Sequence, residues 1–167
     1  DQSQAKIALN NIRQLLLDSR FAKEIQRETA TEIEISNNCV FQAIPASARA
    51  SRGKAVVMCI LDELAFSIEG EANRGARAIY NALSPSIAQF GQHGRILELS
   101  SPWLTDGLFY EHYCQAQSGE FPYMQAVNLP TWEVNPNLPF DSPFLQAELK
   151  RNPEMFWVEY GAQFSRN

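Results

Sequence analysis

Apolar and polar residues alternate along this chain in two distinct rhythms. Near the start, Ala5, Ala8, Leu9, Ile12, Leu15 and Leu16 recur at helical spacing, which predicts an amphipathic helix to about Leu17. From Glu32 to Ile44 the period shortens to two around Asn37-Asn38, which predicts two strands joined by a tight turn. Pro45 to Lys54 reads as a loop of small residues carrying Arg49, Arg52 and Lys54. The run Val56-Val57-Met58-Cys59-Ile60-Leu61 is apolar throughout and predicts a strand buried on both faces. Ala65 to Gly70 reads as a turn or loop.

A second helical stripe follows through Ala72, Ala76, Ile79, Tyr80, Leu83 and Ile87, with Pro85 expected to bend or break it. Arg95 to Leu99 predicts another strand, with Ile96, Leu97 and Leu99 as its apolar core. Ser100-Ser101-Pro102 ends it. Gly107 to Gln117 reads as a helix and Phe121 to Leu129 as a strand. Pro130 to Pro139 holds three prolines and two asparagines, which predicts an ordered loop. Asp141 or Ser142 caps a helix with Pro143 in its first turn, and Pro153 opens a last aromatic helix over Phe156 to Phe164. This alternation predicts an α/β chain with a mostly parallel sheet and helices on both faces.

The central strand carries the chemistry. It closes with Asp62-Glu63, and ligands of open α/β sheets bind beyond the carboxyl ends of the strands. A buried strand that delivers an Asp and a Glu there can hold Mg²⁺ and position an attacking water. The same pair could equally cap the next helix and favour its dipole.

Bulk properties narrow the field. A chain of 167 residues fits one domain with a real core. A net charge of −5 argues against nucleic-acid binding by charge alone. Cys39, Cys59 and Cys114 are odd in number and widely spaced, so they suggest neither a disulfide framework nor a zinc site and fit a reduced, cytoplasmic setting. No apolar stretch approaches the ~18 residues of a membrane span. His93 and His112 lack a ligand or triad context, and Trp103, Trp132 and Trp157 read as packing residues.

Taken in order, these motifs resemble the ATPase domain of a bacteriophage terminase large subunit, a DNA-packaging motor. The resemblance rests on Asp1-Gln2-Ser3-Gln4-Ala5, the Asn37-Asn38 hairpin, Ser51-Arg52-Gly53, Leu61-Asp62-Glu63 and Leu99-Ser100-Ser101-Pro102. It extends to Asn135-Pro136-Asn137-Leu138 and Glu159-Tyr160-Gly161-Ala162-Gln163-Phe164. It implies a three-layer α/β/α P-loop NTPase fold of the RecA-like kind over residues 1–167, incomplete at its N-terminal side, with 130–167 as a lid and terminal helical region.

The resemblance also implies roles. ATP and Mg²⁺ would be the cofactors. Asp62 would hold the metal and Glu63 would act on the water. Arg52, or its neighbour Arg49, would serve as an arginine finger in trans, with Arg74 and Arg77 as weaker rivals. Ser100 and Ser101 would read the γ-phosphate. Implied partners are double-stranded DNA, a small terminase subunit, a portal protein and further copies in a ring, in the host cytoplasm and on the procapsid. The chain departs from the pattern in one respect: it has no G-x-x-x-x-G-K-[ST] loop to cradle phosphates. The expectation is therefore the middle of a longer protein, with the P-loop upstream and a nuclease domain downstream. Two other readings remain: a helicase-like P-loop ATPase, and a non-catalytic interaction module that has lost the loop.

Overall fold

The computed structural model describes residues 2–45, 47, 53–67 and 75–165. Helix α1 spans Gln2–Leu17, as its stripe predicts. It packs on a three-stranded antiparallel sheet of β1 (Ile25–Glu28), β2 (Glu32–Ile35) and β3 (Val40–Gln42), in that order. Ile33 pairs with Phe41 across β2 and β3. It is fully buried against Leu9 and Ala43, with Ala5, Leu16, Ile25 and Phe41 around them. Leu15 lies off this contact and is exposed. The β2–β3 turn works as the Asn-Asn pair suggests. Asn38 takes φ 62°, a conformation Asn tolerates better than most residues, and the Asn37 side chain accepts from the Cys39 amide. β1 was not foreseen, because Ile25-Gln26-Arg27-Glu28 offers one apolar residue and no alternation.

A parallel pair forms the second sheet. Strand β4 spans Met58–Asp62 and β5 spans Arg95–Leu99. They run in register from Met58 opposite Arg95 to Asp62 opposite Leu99. Between them in sequence lies helix α2, Ala76–Ala88. It lays Ile79, Leu83 and Ile87 over Cys59, Leu61 and Ile96. Pro85 does not break α2. Pro85 and Asn81 are on the exposed side, where water can serve the Asn81 carbonyl that proline leaves without a donor. The buried stripe holds the other side in place.

Two expectations fail here. Three of the five strands are antiparallel, so the described sheets are not mostly parallel, although the chain is α/β. Nor is the central strand buried on both faces. Its outward residues Met58 and Ile60, with Leu97 and Leu99 of β5, are between 42% and 51% exposed. An apolar run reports hydrophobicity but not whether a neighbour exists for each face, and among the described residues only one face is covered.

Helix α3 (Gly107–Ser118) is capped by Asp106, whose carboxylate accepts from the Gly107 amide. It adds Leu108 to a cluster with Leu64 and Ala76. The segment 121–129 makes a turn and then takes no regular secondary structure, with no ladder partner among the described residues, so it is not the expected strand. The proline-rich stretch contains a single helical turn, α4 (Thr131–Val134). Ser142 caps α5 (Pro143–Arg151) and Asn152 caps α6 (Pro153–Glu159). Trp132, Phe140, Phe156 and Trp157 stack together beneath these helices, which agrees with a packing role for the tryptophans. The last helix stops at Glu159 rather than Phe164. Beyond it, Ala162 turns left-handed with φ 53° and returns Phe164 to pack on Tyr110 and Tyr113 of α3.

Candidate functional site at the strand ends

The parallel register brings Asp62 to the carboxyl end of β4, on the open face with Ile60, Leu97 and Leu99. Chain direction then changes sharply. Glu63 has φ 56° and ψ 37°, a left-handed conformation that costs a residue with a Cβ about 1–2 kcal/mol. The Asp62 carboxylate accepts from the Glu63 amide at 3.1 Å. A short 3₁₀ turn, Leu64–Phe66, follows at once, with Leu64 buried. Both acidic side chains are exposed.

Ser100 closes this corner from the neighbouring strand. Its hydroxyl accepts from the Ala65 amide at 3.2 Å. That bond ties the end of β5 to the loop carrying the acids. Phe66 packs on Trp103 with ring centroids 5.2 Å apart, a second tie between the two strand ends. Asp62, Glu63 and Ser100 therefore meet at one sheet edge, as the sequence predicts. Ser101 lines an adjoining cleft. Arg52, Arg49 and Arg74 lie outside the described residues. Arg77 is on α2, ion-paired with Glu111 of α3 at 2.6 Å.

Among the described residues, no group of three His, Cys, Asp or Glu side chains could hold a metal ion by itself. Mg²⁺ is bound through one or two carboxylates, with water and substrate phosphates completing its shell. Asp62 fits that role, and the missing ligands would come from a bound nucleotide. The phosphate cradle has no counterpart in the chain.

The sequence did not point to two further features. Glu98 is on the covered face of β5, where the strand rhythm would place an apolar residue. Both its carboxylate oxygens meet His112 Nδ1, at 2.8 and 3.0 Å, and the His112 ring stands edge-on to Tyr80 of α2. This carboxylate–imidazole pair links β5, α2 and α3. A charged residue at an inward strand position was the available signal. Cys59 is on the same face, and burial, with the Glu98 charge as a smaller cause, pushes its thiol up to about 11. It is thus no activated nucleophile. The second feature is a cleft of about 350 Å³ beyond β5, lined by Ser100, Ser101, Asn128, Glu159 and several aromatic rings.

Residues 10–161 match the family described as the N-terminal P-loop domain of the uncharacterized protein MJ0330. The chain belongs to that family. The match spans both sheets and the acidic corner, and it supports a P-loop NTPase-like domain. It does not extend to phage terminases. No curated protein matches the chain, and no described helix is long and apolar enough to cross a membrane.

Proposed function

We propose that this chain is the acid-bearing part of a nucleotide-hydrolysing P-loop domain, with Asp62 holding the Mg²⁺ of bound ATP and Glu63 orienting the attacking water. The observation that carries the reading is the corner itself. Asp62 ends a parallel strand, Glu63 follows in a strained left-handed turn, and Ser100 of the adjacent strand hydrogen-bonds the same loop. Strained residues are retained where the surroundings over-determine them, often at functional sites. Phosphoryl transfer needs little beyond positioning and charge, and both carboxylates are accessible to a ligand. The finer reading is ATP-driven translocation of double-stranded viral DNA by a terminase-like ring. It rests on the ordered motifs and on the idea that Arg52 acts in trans; the family membership supports only the P-loop part.

The chain carries no phosphate-binding loop of its own, so on this reading another segment of polypeptide would supply it. The outward apolar face of β4 and β5, half-exposed among the described residues, supports this, since a helix following a P-loop strand needs such a seat. A second reading, a non-catalytic interaction module, is favoured by the lack of a Gly-rich phosphate loop in the chain.

Nucleotide binding separates the two. The chain alone should neither bind MgATP tightly nor release phosphate. In the protein that carries a P-loop segment ahead of Asp1, MgATP should bind and turn over. Glu63→Gln should then lower turnover about 10²–10⁴-fold while leaving binding intact. If Arg52 acts in trans, mixing Arg52→Ala with Glu63→Gln subunits should restore part of the activity. Unchanged turnover in Glu63→Gln would defeat the catalytic reading.

A further inference from the structure

We propose that the cleft beyond β5 is a receptor for a guanidinium group. Its walls combine two kinds of surface. Phe109 and Tyr113 of α3, Tyr160 after α6, and Phe164 of the returning tail supply aromatic rings. Glu159 and Asn128 also line it, and each side chain carries an oxygen acceptor. No Lys, Arg or His lines the cleft among the described residues, and the Glu159 carboxylate is in no ion pair among them. An anionic ligand would therefore meet a carboxylate and find no countercharge. A cation meets the opposite conditions. Aromatic faces attract cations through their quadrupole, and a planar guanidinium both stacks on rings and donates in a fork to carboxylate and carbonyl oxygens. The volume of about 350 Å³ lies at the small end of ligand pockets. It suits an arginine side chain with part of its backbone rather than a larger cofactor.

The cleft is held from several sides. The Thr131 amide donates to the Tyr160 carbonyl at 2.8 Å, and Phe164 packs on Tyr113 with centroids 5.1 Å apart. Its floor includes Ser100, so an occupant would lie beside the acidic corner. The inference does not rest on nucleotide hydrolysis. It uses only the chemistry of the lining, and its test reads no turnover.

The test titrates the ¹⁵N-labelled chain with arginine amide, with a blocked Gly-Arg-Gly peptide, and with the citrulline form of each. The amide signals of Ser101, Asn128 and Tyr160 are followed. Citrulline keeps the shape of arginine and loses its charge. Arginine should move these signals, and citrulline should bind about fivefold more weakly or worse. Glu159→Gln, a change at an exposed position, should weaken arginine binding about fivefold with the rest of the spectrum retained. Tighter binding of the peptide would assign the guanidinium to a protein partner. Tighter binding of the amide would assign it to a small molecule; either supports the receptor. Equal binding of citrulline, or signals that stay still or move only elsewhere, would overturn it.

Discussion

The two sheets differ in how they treat their apolar residues. The antiparallel sheet buries its apolar face under α1, and its outer face is mostly polar, with Val40 48% exposed. Ile33 is 0% exposed beneath α1, and its partners come from within residues 5–43. The parallel pair is half closed. Cys59, Leu61 and Ile96 lie under α2, while Met58, Ile60, Leu97 and Leu99 face outward. The same residue type thus has opposite energetic standing in the two places. Ile33 stabilises this chain; Ile60 is arranged for something else. The acidic pair is attached to the half-closed sheet, where strand ends and one face remain accessible.

The largest test of this contrast is a matched pair of truncations. Ile33→Ala should destabilise by about 2–5 kcal/mol, the range for deleting a buried branched side chain. Ile60→Ala should change stability by under about 1 kcal/mol, because half its surface is already wet. Urea unfolding of the two variants decides it. Equal losses would mean that the outer face is packed in solution.

A smaller effect is expected where α2 turns into β5. A Cβ added at Gly94 would lie 2.6 Å from the Ile87 carbonyl oxygen and 2.8 Å from its side chain. Gly94→Ala should cost about 1–3 kcal/mol by overpacking, read as a lower thermal midpoint. The corresponding change at Gly53, where a Cβ would meet nothing within 4 Å but φ is +77°, separates backbone strain from crowding.

At the acidic corner the sign reverses. Glu63→Gly relieves a left-handed residue and should stabilise the chain by about 1 kcal/mol, while removing the carboxylate proposed to act on water. A destabilised Glu63→Gly would show that the side chain is itself a structural tie.

The last prediction, silent at neutral pH, is a pH dependence on the covered face. Cys59 titrates at about 11 in the folded chain against an ordinary 9.0. Between those values the unfolded chain has lost the thiol proton and the folded chain keeps it. The contribution to stability is complete below pH 9 and declines as pH rises towards 11. Cys59→Ala should show a shallower fall in thermal midpoint over that window. Parallel curves for the two proteins would remove the thiol from the account.

Much of this was legible because local signals and tertiary context agree. Arg95–Leu99 was found at its true ends, the Asn37-Asn38 turn was named by its chemistry, and Ser142 with Pro143 marked the start of α5. Asp62 and Glu63 were placed at a strand end by the sequence pattern, and the terminase resemblance set Ser100 beside them. The failures share a physical origin. Leu97 and Leu99 were assigned to the core because apolarity does not reveal whether a partner is present. Residues 121–129 have strand-like composition, but they have no described strand to pair with. Pro85 was read as a breaker, though it sits on the wet side of a helix fixed by its opposite stripe. The Glu98–His112 pair joins positions 14 apart across two elements, so neither residue announces the other.

The Ser100 hydroxyl has a further consequence. It receives the Ala65 N–H through a lone pair, so its own proton is uncommitted by that bond. An oxygen arriving at the strand ends could take that proton without displacing the backbone. One hydroxyl can then serve as acceptor to the protein and donor to a guest at once. Whatever binds there will polarise the link to the acidic loop instead of cutting it. News of occupancy would reach Glu63 through a strengthened bond, with no part of the fold needing to let go.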